Sequence, residues 1–210
     1  IQKKNGKNIM PHKFNFVFGW TDFEDVYTRM VDEFDNCTFV EIGSFQGKSA
    51  VMMGELIKEK NKNIKLVCID LFPTKEEVKI YEKLGAGQGG SEFGEAKYIN
   101  DLPQSLLDTF VENIRKNEVD DVIIPIKSNS HKCISLFQDN SLPFVFIDAS
   151  HKYDIVLEDI KLWWNKVQVN GVLAGHDYFN EVHKAVHDFF DPLDVKVERY
   201  TSSWFVRKLA

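Results

Sequence analysis

The sequence has few of the features that mark disulfide-rich or membrane-spanning proteins. Its three cysteines, Cys37, Cys68 and Cys133, are scattered among 210 residues without the spacing of a metal site. An odd, unpatterned set argues against a disulfide framework and favours a reducing compartment, so we expect a cytoplasmic protein. No apolar run approaches the roughly 20 residues that a membrane-spanning helix needs, and no membrane partner is expected.

Positive charge is also scarce. The formal net charge is −6, and the only basic block lies in the N-terminal stretch "IQKKNGKNIMPHKF", which lacks the apolar core of a secretory signal. An acidic chain without a basic patch is a poor match for a nucleic-acid backbone, so we expect a small molecule as the partner. The length fits one domain covering residues 1–210.

What the sequence does contain is a regular alternation of strand and helix patterns. Short apolar runs that predict strands are separated by helical stripes; these runs are "CTFVEIG", "IKLVCIDLF", "DVIIPIKS", "FVFIDAS" and "VLAGHDY". The tail "DVKVERYTSSWFVRKL" predicts an antiparallel hairpin. The fold class predicted is α/β: a doubly wound, mostly parallel seven-stranded sheet with helices on both faces and a C-terminal antiparallel hairpin.

Three segments lie outside the simple alternation. Residues 1–36 include an amphipathic helix after an aromatic lead-in, which is expected either to cover one face of the sheet or to form one wall of a substrate pocket. Residues 73–103 are rich in glycine and polar residues and too long for a minimal connection, which leaves a disordered insertion or a lid over the site as the two interpretations. The pair Asn170-Gly171 predicts a turn before the fifth strand.

Acidic residues stand at the predicted carboxyl ends of four strands. They are Glu41, Asp70, Asp148 and Asp177, and His151 follows Asp148 by three positions. In open α/β sheets, ligands bind beyond the carboxyl ends of the strands. The sequence therefore predicts that these side chains converge on one site.

The stretch "FVEIGSFQGKSA", followed by "VCIDLF", resembles the first two motifs of the Rossmann-like S-adenosylmethionine-dependent methyltransferases. The resemblance implies S-adenosylmethionine as cofactor, with Gly43 admitting the methionine part, Gly47 allowing close packing where the helix begins, and Asp70 accepting both ribose hydroxyls. The full set of cofactor-binding residues it implies is Glu41, Gly43, Ser44, Gly47, Ser49, Asp70, Leu71, Ser128, Asp148 and His151.

The stretch from "FVFIDASHKYDIV" to "VLAGHDY" resembles a subgroup with the pattern IDG-x-H-x-Y, a helix and HDY, although Ala149 replaces the usual glycine. That subgroup includes O-methyltransferases acting on sugars and other small hydroxylated compounds, several of them magnesium-dependent. His151 could be an ordinary surface histidine, but its place three residues after Asp148, on the loop facing the cofactor, favours a general base with Asp148 beside it. The strand order usual for these methyltransferases would put Asp148 and Asp177 on neighbouring strand tips, where they could share a divalent cation, Mg²⁺, with His176 as a third ligand or a contact behind the ligands.

Several alternatives stay open on the sequence alone. A dinucleotide-dependent oxidoreductase is disfavoured because position 45 is phenylalanine, where a pyrophosphate would need glycine. Asp148 and Asp177 could be helix N-caps, and Asp159 and His131 are expected to be solvated. A metal-independent methyltransferase acting on nitrogen or on a macromolecule, and a catalytically inactive cofactor-binding protein, remain alternatives. The acceptor and the oligomeric state are not determined.

Overall fold

The structure of the chain is a computed structural model that describes residues 3–4, 7–8, 13–83 and 96–210. Residues 84–95, the middle of the predicted insertion or lid, lie outside the described residues, as does most of the segment before residue 13. Two short stretches near the N-terminus, Lys3–Lys4 and Lys7–Asn8, pair as an antiparallel ladder. Among the helices in the described ranges, none is long and apolar enough to cross a bilayer.

One seven-stranded sheet organises the part of the chain from residue 13 onward that the structure describes, in the order β3-β2-β1-β4-β5-β7-β6. The strands are β1 (Cys37–Ile42), β2 (Ile64–Asp70), β3 (Ile123–Lys127), β4 (Leu142–Ile147), β5 (Val167–Gly175), β6 (Val197–Tyr200) and β7 (Ser203–Arg207). Strands β1 to β5 are parallel to one another, and β7 is antiparallel to both β5 and β6. The predicted fold class, including the C-terminal hairpin, is confirmed.

Helices cover both faces of this sheet. They are α1 (Glu24–Glu33), α2 (Lys48–Glu59), α3 (Lys75–Lys83), α4 (Ala96–Asn100), α5 (Leu106–Lys116), α6 (Ser130–Cys133), α7 (Tyr153–Trp164) and α8 (Asn180–Phe190), with 3₁₀ turns at Lys13–Phe16, Ile134–Leu136 and Asp191–Leu193. Helices α1, α2 and α5 contribute to the apolar core on one face, and α7 and α8 to the core on the other.

Strand β1 shows why both faces are covered. Phe39 points into the core with α1 and α2, whereas its neighbours Val40 and Ile42 point into the core with α7 and α8. Successive side chains of a strand leave opposite faces of the sheet, so a run that is apolar at nearly every position needs helices on both sides. This is the physical origin of the doubly wound arrangement.

The turn predicted at Asn170-Gly171 is wrong, because β5 continues through it from Val167 to Gly175. Asn170 adopts a left-handed backbone, with φ of 64°, and the register with β4 shifts there. The amide of Asn170 donates to the Lys208 carbonyl, and the Lys208 amide donates to the Gly171 carbonyl. Lys208, near the C-terminus, thus provides hydrogen-bond partners for the amide of Asn170 and the carbonyl of Gly171. The irregularity is therefore a bulge within a strand.

The register of the parallel strands places several chain segments at one edge. Ile42 pairs with Ile69 on one side and with Ile147 on the other, and Ile147 pairs with Gly175. The residues that follow these positions therefore emerge side by side at the carboxyl edge of the sheet.

Candidate functional site

A cavity of about 740 Å³ lies at the carboxyl edge of the strands. Most of the site residues predicted from the sequence line it: Gly43, Ser44, Ser49, Asp70, Leu71, Ser128, Asp148, His151, His176 and Asp177. Glu41 and Gly47 do not. A volume of this size is within the usual range for small-molecule and cofactor sites.

Gly43 joins the tips of β1 and β4. Its backbone is left-handed, with φ of 84°, and a Cβ there would lie 2.1 Å from the backbone oxygen of Asp148. The amide of Asp148 in turn donates to the Ile42 carbonyl over 2.8 Å. Gly43 is therefore needed for the close approach of the neighbouring strand tip, and its predicted approach to the methionine part of the cofactor stays a prediction.

Gly47 begins helix α2 and lies behind the cavity. Its φ is 87°, and a Cβ there would lie 2.9 Å from the ring of Phe110 on α5. Glycine adopts this left-handed conformation without the steric cost that a side chain would add. Gly47 thus allows the close packing predicted at the start of the helix, but it makes no part of the cavity surface.

Glu41 is buried below the cavity floor with none of its surface exposed. The Tyr27 hydroxyl donates to one carboxylate oxygen over 2.6 Å, and the Ser49 hydroxyl donates to the other over 3.0 Å. Burial raises the pKa of Glu41 to about 7, although these hydrogen bonds favour the ionised form. The predicted direct contact with a cofactor is therefore corrected: Glu41 holds Ser49, which lines the cavity, and anchors helix α1 to the sheet.

Asp70 closes the loop that follows β1. Its Oδ2 accepts hydrogen bonds from the amides of Ser44 and Phe45, each over 2.9 Å, and its Oδ1 accepts one from the amide of Phe72 over 2.6 Å. Burial raises the pKa of Asp70, and the three amides oppose this rise. A carboxylate offers about four acceptor positions, so these amides leave about one, on Oδ1. One acceptor position therefore remains for the two ribose hydroxyls that the resemblance assigns to Asp70, and that assignment stays a prediction.

A cluster of acids and histidines occupies the tips of β4 and β5. Nε2 of His151 lies 2.8 Å from Oδ2 of Asp177, and Nδ1 of His176 lies 3.3 Å from the same oxygen. Nδ1 of His176 also lies 3.5 Å from Oδ1 of Asp148. Neither aspartate caps a helix, since α7 follows Lys152 and α8 follows Phe179. The N-cap interpretation is therefore wrong.

The ionisation of this cluster follows from its charges. The hydrogen bond with Asp177 raises the pKa of His151, and burial opposes this rise. Burial lowers the pKa of His176, but Asp148 and Asp177 outweigh burial and hold it well above its ordinary value. The carboxyl of Asp177 has a lowered pKa because the two imidazoles outweigh the effect of its burial. Both histidines therefore attract protons when only the carboxylates surround them.

The sequence analysis left His176 either as a third metal ligand or as a contact behind the ligands, and its contacts fit the second. Its Nε2 lies 2.6 Å from Oδ1 of Asp22 and 3.0 Å from the hydroxyl of Ser202, while its Nδ1 faces Asp148 and Asp177. Both ring nitrogens are thus engaged by other side chains. Asp22 precedes helix α1, and no local signal relates it to a residue 154 positions further along the chain.

The donor atoms that can surround one cation belong to a different set. Asp148, His151 and Asp177 each offer one atom, and these three atoms lie within 4.8 Å of one another. Two carboxylate oxygens suit a hard divalent ion such as Mg²⁺, and an imidazole nitrogen extends the fit to Mn²⁺ and later transition metals. The residues present therefore fit a divalent cation, with His151 where His176 was expected.

The structure also places residues in the cavity that the sequence analysis missed. Asp159, expected to be solvated, is 2% exposed, and its Oδ1 accepts a hydrogen bond from the Ser130 hydroxyl and lies 3.1 Å from Nε2 of His131. The rings of Phe18, Trp20, Phe45 and Tyr98 line the side of the cavity near the N-terminal segment. The aromatic-rich run before α1 was a signal for these rings, but their meeting point depends on the fold.

Comparisons with known proteins agree with this architecture. Residues 40–178 match a family model described as a methyltransferase domain. An uncharacterized protein of Acanthamoeba polyphaga mimivirus is 27% identical over 146 residues, which cover 70% of this chain and 53% of that protein, so the chain spans about half the length of this curated relative.

Solved structures share the fold at low identity. The O-methyltransferase NovP superposes with a TM-score of 0.66 at 13% identity, covering 90% of this chain and 80% of NovP. A calicheamicin methyltransferase gives 0.63 at 10%, covering 88% and 76%. A SAM-dependent O-methyltransferase from Thermotoga maritima gives 0.57 at 10%, covering 92% and 67%. At such identities the superpositions establish the fold alone.

Proposed function

We propose, from the premise that this chain belongs to the methyltransferase domain family, that it transfers the methyl group of S-adenosylmethionine to a hydroxyl group of a small molecule. One observation carries the proposal. A single cavity joins the loop after β1, with Asp70 beside it, to the cluster of Asp148, His151 and Asp177. A cofactor on the first part and an acceptor at the second would meet within one cavity.

The cofactor half of the cavity fits an adenosine that carries an amino acid. Asp70 keeps one acceptor position on Oδ1 for a ribose hydroxyl, and Leu71, which is 41% exposed, offers an apolar surface beside it. Ser128 lies at the same end, and its amide donates to the Asp70 carbonyl. Phe45 occupies the loop position where a pyrophosphate would require glycine, which supports a cofactor without phosphates.

The reaction half supplies a base. Methyl transfer is an in-line displacement, so the acceptor oxygen must be held in line with the sulfonium methyl and must lose its proton as the new bond forms. His151 lines the cavity three residues after Asp148, and it is the more exposed of the two clustered histidines. Its neutral imidazole would accept the proton, and Asp177 would then stabilise the imidazolium that results.

A divalent cation fits the same cluster. Asp148 and Asp177 would hold it, and Mg²⁺ is the ion that the family resemblance suggests. When bound, such a cation lowers the pKa of a coordinated hydroxyl and fixes its position. His176 would orient the two carboxylates through Nδ1, and Asp22 fixes the ring through Nε2. The His151 imidazole can serve as a third ligand or as the base, but not as both at once, and we assign it the role of base. In its neutral form Nε2–H donates to Asp177, so the nitrogen that accepts the proton is Nδ1.

The experiment that tests the function has two stages. Calorimetry should first show that the chain binds S-adenosylmethionine and S-adenosylhomocysteine. A panel of hydroxylated sugars and phenols should then be screened for release of S-adenosylhomocysteine, with and without Mg²⁺. Saturable cofactor binding without turnover of any acceptor would favour a binding protein. Turnover of amines or macromolecules alone would contradict the hydroxyl assignment.

A further inference from the structure

Four aromatic rings form one wall of the cavity, which we call the aromatic wall: Phe18, Trp20, Phe45 and Tyr98. The ring of Phe18 lies 4.6 Å from that of Tyr98, 5.8 Å from that of Trp20 and 6.1 Å from that of Phe45, centre to centre. The ring of Trp20 lies 6.4 Å from both Phe45 and Tyr98. The four side chains come from three separate parts of the chain, so the wall exists only in the folded protein.

These rings are open to solvent although they contact one another. Phe18 is 45% exposed, Trp20 is 54% exposed and Tyr98 is 37% exposed. Leaving large apolar surface in water forgoes the gain of about 25 cal/mol per Å² that burial would give. Clusters of exposed apolar side chains at the mouth of a cavity commonly mark a binding surface. The wall thus has free ring surface available to a ligand.

The backbone of Phe45 gives independent support. Its φ of 47° lies in the left-handed region, which is uncommon for a bulky side chain and is found disproportionately at functional sites. In this conformation its amide donates to Asp70 while its ring joins the aromatic wall. The strained residue therefore belongs both to the cofactor loop and to the wall.

The aromatic wall borders the proposed reaction centre. Trp20 stands two residues before Asp22, which binds His176 over 2.6 Å. Two residues of extended chain span about 7 Å, so a ligand lying on the wall reaches the cluster of Asp148 and His151 with a substituent. This geometry suits an acceptor rather than the cofactor, whose proposed place is beside Asp70.

The arrangement of the rings restricts the chemistry of that acceptor. Five of the six ring pairs have centres 4.6 to 6.4 Å apart, so the rings pack on one another and present one continuous apolar surface to a ligand. A sugar would need polar partners for several hydroxyls, and the wall offers one side-chain hydroxyl, that of Tyr98. The rings of the wall are tilted relative to one another, so they can make the edge-to-face and offset-stacked contacts that a flat aromatic ligand prefers.

Building on the proposed function, we propose that the acceptor is an aryl compound whose ring lies against the aromatic wall and whose hydroxyl points to the acid–histidine cluster. In the reaction, the bond from sulfonium sulfur to methyl breaks as the bond from methyl to the aryl oxygen forms. The hydroxyl proton passes to His151, and S-adenosylhomocysteine leaves with the electron pair of the broken bond.

The test compares 2-naphthol with its saturated counterpart, decahydro-2-naphthol, by calorimetry in the presence of S-adenosylhomocysteine. The two probes share a carbon skeleton and the position of the hydroxyl group, and they differ in aromaticity and in the planarity and hydroxyl acidity that accompany it. We expect 2-naphthol to bind more tightly to the parent protein. Phe18→Ala should raise its Kd about 2- to 10-fold and leave the Kd of S-adenosylhomocysteine unchanged. Phe16→Ala is the matched control, because Phe16 is 79% exposed in the same segment but does not line the cavity.

Two outcomes would overturn the inference. One is equal affinity for the two naphthol probes, and the other is an equal effect of the Phe18 and Phe16 substitutions. Binding of methyl glucoside that Phe18→Ala weakens, with no binding of 2-naphthol, would assign the wall to sugars instead. If the parent fails to bind S-adenosylhomocysteine, the proposed function is contradicted. Binding of 2-naphthol that Phe18→Ala weakens would, even then, still support an aryl-binding surface.

Discussion

Gly43 and Asp148 are in backbone contact, since a Cβ on Gly43 would lie 2.1 Å from the carbonyl oxygen of Asp148. The obstacle is backbone, which cannot rotate away as a flexible side chain could. Because the same contact joins the loop after β1, which we propose binds the cofactor, to the acid–histidine cluster, the two halves of the cavity depend on each other.

Replacing Gly43 by alanine should therefore disturb both halves. We expect Gly43→Ala to destabilise the fold by about 2 kcal/mol or more, since it adds a backbone clash to a left-handed φ of 84°. Chemical denaturation measures the stability, and calorimetry should show weaker binding of S-adenosylhomocysteine. Parental stability in this variant would contradict the contact between the two strand tips.

Asp70→Asn should weaken cofactor binding. The amide side chain keeps the size of the carboxylate but loses charge and an acceptor oxygen, and with them the charge-assisted hydrogen bond proposed for the ribose. We expect the Kd of S-adenosylhomocysteine to rise about 10- to 100-fold by calorimetry. The exposed Asp101→Asn serves as the control. An unchanged Kd in Asp70→Asn, with an intact circular dichroism spectrum, would remove Asp70 from the cofactor site.

Asp177→Asn should weaken divalent-cation binding. It removes one of the two carboxylates proposed to hold the ion, so we expect the affinity for Mg²⁺ and Mn²⁺ to fall by about tenfold or more, measured by calorimetry on the protein without acceptor. Asp154→Asn, on the exposed first turn of α7, is the matched control. If the parent binds neither ion and keeps full activity in excess chelator, the proposed cation site is discarded.

His151→Ala separates the two roles open to that imidazole. If His151 is the base, kcat should fall about 10²- to 10⁴-fold while the affinities for cofactor and cation stay at parental values. The parent's rate should also fall at acid pH as the imidazole protonates. The hydrogen bond that His151 donates to Asp177 raises the pKa of His151, which places that loss above the ordinary imidazole pKa. A loss of cation affinity in the variant would identify His151 as a ligand. Near-parental kcat would leave His176 as the next residue to test.

Glu41→Gln should alter how stability depends on pH. Burial raises the pKa of Glu41 to about 7, so the folded protein binds the proton more tightly than the unfolded chain does. Its contribution is fully present below about pH 4.5, the ordinary pKa of the carboxyl, and declines by up to about 3 kcal/mol as pH rises through 7. The glutamine variant should lack this decline while still accepting the hydrogen bond from Tyr27. Denaturation curves between pH 5 and 8 test it, with exposed Glu59→Gln as control; identical pH profiles for parent and variant would contradict it.

Much of the fold followed from local pattern. The continuous apolar strands alternating with helical stripes predicted the doubly wound sheet, because a strand that is apolar on both faces must be covered on both. Asp70 and Asp148 were predicted to lie at the ends of parallel strands. Because parallel strands end on the same side of a sheet, this predicted that both residues lie at one edge of the sheet. The turn predicted at Asn170 was wrong because the backbone partner of Asn170, Lys208, lies 38 positions away in sequence, and no local pattern indicates that pairing.

What the sequence by itself determined was therefore the sheet, the family resemblance and the edge at which the polar side chains gather. Only the tertiary structure decided their partners. It buried Glu41 beneath the cavity, gave three amides to Asp70, engaged His176 with Asp22, and brought four rings from three chain segments into the aromatic wall. The reason is physical: burial and periodicity are set by near neighbours along the chain, whereas a hydrogen-bond or ring partner is chosen by whichever distant segment the packed fold brings within reach.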